Sequence, residues 1–272
     1  MAENQGKAFE AKDDGERLFK RYAEANGYEM LAYEPDLGTD KRPDYLIRAG
    51  DRDLVVEVES FVQATAWPTY NGAINMKPYL TRVRDKIKNG ADQLKGIGGY
   101  PLVVVLANPA NAYLPLDGAM FFGAMYGDLE VTFEEGGGLR MQTGRNGRMH
   151  VDEPDGSSRG HHPHVSAIAV LRTTYTEDAH TAAILEAQSK GYTNPIAAVR
   201  FALQSLADLD ETSDEIVCLD VFETVSQSAV PLAREALAGP YDSRWGQVSP
   251  GRYGRIHPPT GAVHVVAEGP AE

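Results

Sequence analysis

The 272-residue chain has a single cysteine, Cys218, two tryptophans, and no apolar run long enough to cross a membrane. One cysteine closes no intramolecular disulfide and builds no cysteine-based zinc cage. Its setting, EIVCLDVF, predicts a small apolar residue inside a strand. The longest apolar stretches, PLVVVLANPA at 101–110 and VSAIAVL at 165–171, fall well short of the ~20 residues that a spanning helix needs. No membrane partner is expected. The opening MAENQGKAFEAKDDGE is polar and acidic, without the apolar centre of a secretory signal, so the expected location is cytoplasmic. A dinucleotide-binding glycine fingerprint and a glycine loop ending in GK[ST] are missing, as is any internal repeat. These absences leave few competing enzyme classes.

What is present is the composition of an ordinary globular protein: 42% hydrophobic, 24% charged and 8% aromatic residues. The net charge of −13 opposes contact with nucleic acid, whose phosphates call for Lys and Arg. The acidity is uneven. Residues 1–100 carry 15 basic and 17 acidic side chains, against 11 and 22 in 101–272. Between 77 and 95 the balance reverses, with six basic side chains (Lys77, Arg82, Arg84, Lys86, Lys88, Lys95) against Asp85 and Asp92.

Periodicity predicts a helix at 14–26, with Leu18, Phe19 and Tyr22 on one stripe, a cap at Asp13 or Asp14 and Gly27 as the stop. Three strands follow at 28–35, 43–50 and 53–61, the last two joined by an AGDR turn. Leu80, Val83, Ile87, Ala91 and Leu94 mark a helix over about 75–95, and the continuous run after Tyr100 reads as a strand buried on both faces. Beyond it the reading is a helix near 115–126, a strand LEVTFEE, loops or a hairpin over 136–164 with TGRNG as the turn, a strand VSAIAVLRTTY, a helix at 195–207, a strand EIVCLDVFETV and a Gly/Pro-punctuated tail. No long linker interrupts the chain, which favours one domain over 1–272, with additions over about 109–272.

The sharpest constellation is Asp44, Glu57 and Glu59. Asp44 opens one strand directly after Pro43, and Glu57 and Glu59 share parity, hence one face, in the otherwise apolar strand VVEVES. A buried carboxylate is costly unless a metal, a cation or a proton compensates it. Two on one face, opposed by an aspartate on the neighbouring strand, make a hard oxygen site suited to Mg²⁺ or Mn²⁺. A solvated strand with alternating acids has the same spacing, and that alternative stays open.

RPDYLI, then VVEVES, then a helix carrying DKIKNGADQLKG, in the order helix, three strands, helix, strand, resembles the PD-(D/E)xK nuclease superfamily over about residues 14–108. The resemblance implies an α/β restriction-endonuclease-like core on a mixed sheet. It also implies metal-assisted hydrolysis of phosphodiesters, with nucleic acid as partner (DNA ahead of RNA) and a homodimer as a common assembly. Carried over by position, Asp44 and Glu57 are metal ligands with the Val58 carbonyl as a third, and Glu16 falls where a first-helix glutamate supports the metal. Gln93 falls where the following helix carries a glutamine, and Arg82 and Arg84 belong to the basic helix that would hold the phosphate backbone.

One position departs from the pattern. Glu59 stands at the family's lysine, where a carboxylate cannot stabilise the phosphate. Glu59 then serves as ligand or general base, with Lys86 or Lys88 supplying the cation from the following helix; the alternative is a non-catalytic interaction protein with a decayed site.

Other features carry less. His150, His161, His162 and His164 fit no zinc spacing, and with Arg140, Arg145, Arg148 and Arg159 they read better as a segment contacting nucleic acid than as a metal cluster. Trp67, Tyr70 and Asn71 either stack on a base or pack in the core. The tail from Gly239 to His257, with Tyr241, Arg244, Trp245, Arg252, Tyr253 and Arg255, reads as covering the core rather than lining a substrate groove.

Overall fold

The structure, a computed structural model, describes residues 11–62, 77–109, 118–133, 139–152, 158–175, 177–191, 215–249 and 252–257. Helix α1 (Asp14–Ala25) starts where Asp13 caps it, its Oδ1 accepting the Glu16 amide at 2.9 Å, and buries Leu18, Phe19, Tyr22 and Ala23. It ends before Gly27, whose φ of 70° is the left-handed conformation of a helix stop. Strands β1 (Glu29–Tyr33), β2 (Tyr45–Ala49) and β3 (Arg52–Ser60) form an antiparallel meander, with Gly50 at φ 69° turning β2 into β3. Helix α2 (Lys77–Gln93) then crosses to β4 (Leu102–Ala107), which lies parallel to β3 and is buried throughout. The short helix α3 (Gly118–Tyr126) leads into a hairpin of β5 (Gly127–Phe133) and β6 (Leu139–Asn146), and β7 (Val151–Asp152) pairs with β8 (Ser158–Arg159). The chain continues through β9 (Ala167–Tyr175), α4 (Glu177–Ser189), β10 (Glu215–Glu223), β11 (Ser243–Ser249) and β12 (Arg252–His257).

The result is a mixed α/β fold around an eight-stranded mixed sheet, ordered β1-β2-β3-β4-β9-β10-β11-β12. The strands of the C-terminal half extend the sheet built by the first half, with β9 parallel to β4 and β10 antiparallel to β9. Alternation along the strands splits the core. Tyr45, Ile47, Val56, Val58, Val103 and Val105 pack with α1 on one face. Val55, Val104, Leu106 and Ile168 pack with the Val83, Ile87, Ala91 and Leu94 stripe of α2 on the other.

Two glycines let the helices approach closely. A Cβ on Gly15 of α1 would lie 2.0 Å from Ser60 Oγ and 2.9 Å from the Ala107 Cβ. A Cβ on Gly90 of α2 would lie 2.5 Å from Val104 Cγ1 and 3.3 Å from Glu59 Cγ. Both approaches press on β3 and β4, α1 at their carboxyl ends and α2 on the opposite face.

Several expectations change beyond residue 108. TGRNG is not the hairpin turn: Thr143–Asn146 belong to β6, and Leu129 pairs with Thr143. Helix α4 was not anticipated, and β11 and β12 emerge from the tail read as Gly/Pro-punctuated. The helix expected at 195–207 and Trp67, Tyr70 and Asn71 lie outside the described residues. Cys218 is buried in β10 as expected. The tail covers the core: Arg244 is buried, with its guanidinium on Glu223 and on the carbonyls of Leu232, Ala233, Arg234 and Ala236. Trp245 stacks beside Phe222, with Arg255 over its ring. No helix among the described residues is long and apolar enough to cross a membrane.

Candidate active site

Asp44 and Glu57 meet across the β2–β3 hairpin. Tyr45 pairs with Val56, so the residue before β2 faces the residue after Val56. The Asp44 amide donates to Glu57 Oε2 at 3.2 Å, and Asp44 Oδ2 accepts the Val58 amide at 2.9 Å. Both acids are only 6% exposed. Burial pushes Asp44 up to about 6, against the pull of the Val58 amide, and pushes Glu57 up to about 9, with the Asp44 charge beside it adding to the effect.

Glu59 lies on the face of β3 that α2 covers, and Lys86 Nζ donates to its Oε2 at 2.8 Å. Lys88, expected as an alternative cation, is exposed and pairs with Asp92 on its own helix at 2.6 Å. Helical phase separates the two lysines: Gly90, four residues after Lys86, is the close contact of α2 with Glu59. Gln93 closes α2 on the Lys86 side of the helix, half-buried. Arg84, expected at the substrate, is instead buried and donates to the Gly123 carbonyl of α3 at 3.0 Å, so it ties α2 to α3. Arg82 sits over the Phe61 ring.

Glu16 belongs to the other face. Its Oε2 accepts the Lys12 amide at 2.9 Å, the Tyr33 hydroxyl at 3.2 Å and the Tyr45 hydroxyl at 3.4 Å. Burial and the Glu16 charge push the Tyr33 phenol up to about 12 and the Tyr45 phenol well above its ordinary value. Sequence reasoning passed over Lys12. Its Nζ lies 2.7 Å from Glu34 Oε1 and 3.5 Å from Asp44 Oδ1, and 5.5 Å from the centre of the Tyr33 ring. Burial works against the Lys12 charge, but the Glu34 bond and the Asp44 carboxylate together hold the ammonium above its ordinary value. Lys12 stands in a polar stretch without periodicity and reaches Asp44 across 32 residues of chain, so no local signal marks it.

Among the described residues no three His, Cys, Asp or Glu side chains converge on a common metal position. Glu16 is taken up by tyrosines and Glu59 by Lys86, which leaves Asp44 and Glu57 as an adjacent pair. Two carboxylates suit Mg²⁺, which is commonly held by one or two of them and keeps several waters. A four-carboxylate cage does not fit; a two-carboxylate centre does.

His161, His162 and His164 gather at the far end of α2. The ring of His162 packs between those of His161 and His164, at 6.0 and 5.9 Å between centres. His164 Nε2 lies 2.9 Å from the Ala91 carbonyl, and His162 Nδ1 lies 3.7 Å from Asp92. Arg148 pairs with Asp85 at 3.6 Å. Arg140, Arg145 and Arg159 fall on β6 and β8, and their side chains lie outside the described residues.

No protein-family model and no curated protein matches the chain. Among solved structures, SfsA of Pyrococcus furiosus in complex with Ca²⁺ is similar over 47% of this chain and 59% of its own length, at 18% identity and a TM-score of 0.19. A likeness at that score carries no argument about fold or function.

Proposed function

We propose that the chain is a divalent-metal-dependent nuclease of the PD-(D/E)xK type, hydrolysing phosphodiesters in nucleic acid, with DNA ahead of RNA, on a restriction-endonuclease-like core. The observation that carries the reading is the buried Asp44–Glu57 pair near the carboxyl end of β3, which lies parallel to β4. Open α/β sheets commonly bind ligands outside the carboxyl ends of their parallel strands. A buried acid pair costs stability and so calls for a function.

Asp44 and Glu57 are the residues that would hold Mg²⁺ or Mn²⁺. The ion, when bound, lowers the pKa of a coordinated water and offsets charge on the phosphate. The chain's own groups do the rest. The Val58 amide orients the Asp44 carboxylate, and the Asp44 amide orients Glu57. Glu59 takes the water's proton while Lys86, 2.8 Å away, steadies its carboxylate.

A second reading, a non-catalytic interaction protein on the same fold, is favoured by one observation. Glu59 occupies the motif's lysine position and neutralises Lys86, which would otherwise face the phosphate. The test is cleavage of labelled single- and double-stranded DNA and RNA with Mg²⁺ or Mn²⁺, by wild type and by folded Asp44→Ala and Glu57→Ala variants. Metal-dependent cutting that disappears in both variants supports the nuclease. No cutting of any substrate, with no Mn²⁺ binding by calorimetry, supports the interaction protein.

A further inference from the structure

We propose that Lys12 is the cation that faces the scissile phosphate, and that Glu16 and Glu34 are the positioning residues that hold it there. This rests on the nuclease reading of the Asp44–Glu57 pair. A phosphodiester transition state needs positive charge beside the non-bridging oxygens, and the strand position that would supply it holds Glu59. Two lysines reach the carboxylates. Lys86 comes from the α2 face, is 31% exposed and has its ammonium bonded to Glu59. Lys12 comes from the α1 face, is 53% exposed and touches the outer oxygen of Asp44 itself, the one that does not accept the Val58 amide.

Lys12 is also held at three points that a surface lysine ordinarily lacks. Its backbone amide is fixed on Glu16 Oε2, and that oxygen also accepts the hydroxyls of Tyr33 and Tyr45. Its ammonium bonds Glu34 at 2.7 Å and lies above the Tyr33 ring. Such a lysine loses little orientational freedom when a phosphate approaches. The Glu16 carboxylate, expected as a support for the metal, instead anchors the backbone that presents Lys12. Lys12 donates hydrogen bonds to a non-bridging oxygen and transfers no proton.

The test compares wild type with Lys12→Gln, Lys12→Arg and Lys86→Ala in two assays: single-turnover Mg²⁺-dependent cleavage of labelled DNA, and Mn²⁺ binding by calorimetry. Lys12→Gln is expected to lose at least ~100-fold in the cleavage step, the scale of one lost oxyanion donor, while binding Mn²⁺ at least as tightly as wild type because a neighbouring positive charge is gone. Lys12→Arg is expected to recover at least ~10-fold of that loss because it restores the positive charge, and Lys86→Ala to lose less than Lys12→Gln, whereas a merely structural role of Lys12 in holding Asp44 would weaken Mn²⁺ binding in Lys12→Gln. If wild type cuts and Lys12→Gln cuts equally well, or Lys86→Ala suffers the larger loss, the assignment of Lys12 is overturned and the nuclease reading stands. If wild type cuts nothing, the nuclease reading falls and the role of Lys12 falls with it.

Discussion

The Asp44 amide donates to the Glu57 carboxylate at 3.2 Å, so two acids 13 residues apart share one buried corner of the sheet, each leaning on the other's strand. A corner of this kind costs a metal-free protein stability. Glu57, pushed up to about 9, is protonated in the fold and ionised in the unfolded chain over the interval between its ordinary value near 4.5 and 9. Its contribution to stability is therefore complete below about pH 4.5 and lost as pH rises towards 9.

Glu57→Gln is accordingly expected to stabilise the metal-free protein at pH 8 by about 1–3 kcal/mol and to flatten the pH dependence above 5. Chemical denaturation in EDTA reads both. Saturating Mg²⁺ is expected to raise the stability of wild type and to leave the variant unchanged. A destabilised Glu57→Gln protein would show that the acid is part of the scaffold.

His162 gives the opposite slope. Burial holds its ring down to about 4, against the pull of Asp92 and with His164, His161 and Lys88 assisting. The unfolded chain takes up a proton near 6.5 and the folded one only near 4, so stability falls as pH drops through that window. His162 has φ 60°, a conformation that asparagine tolerates. His162→Asn is expected to recover on the order of 1 kcal/mol at pH 5 relative to pH 7.5, measured by thermal unfolding at both values.

Gly90 separates helix propensity from packing. Alanine there improves the intrinsic helix preference by about 1 kcal/mol, yet its Cβ meets Val104 Cγ1 at 2.5 Å. The clash dominates, and Gly90→Ala is expected to destabilise by about 1–3 kcal/mol. Because the same Cβ presses on Glu59 Cγ at 3.3 Å, activity is expected to fall together with stability, as paired denaturation and cleavage measurements would show.

The first half of the fold was legible because its signals are local. The α1 and α2 stripes, the AGDR turn and the run of β4 each state their structure within a dozen or so residues, and Asp44, Glu57 and Glu59 stand out as charges among valines. In the second half local signals mislead. Helix α4 spreads its apolar residues round the helix, and among its described side chains Ala183 and Ala187 are buried. TGRNG carries turn residues that β5 nonetheless pairs into a strand. Around Arg244 the glycines and prolines hide a strand whose charge is met by carbonyls from the preceding turns. At the site, parity places Glu57 and Glu59 on one face, while the burial of Asp44 beside Glu57 is set by the fold. The choice between Lys86 and Lys88 depends on the depth at which α2 docks, and the arrival of Lys12 at Asp44 is a tertiary event.

The most direct measurement is the initial rate at which the protein cuts a labelled DNA duplex and its single strand, with Mg²⁺ and with EDTA, for wild type beside a Glu57→Ala variant shown to be folded. The account predicts cutting by wild type that starts on addition of Mg²⁺, stops with EDTA and is reduced at least ~1000-fold in the variant. Cutting that persists in EDTA or in the Glu57→Ala protein would contradict a centre built on Asp44 and Glu57.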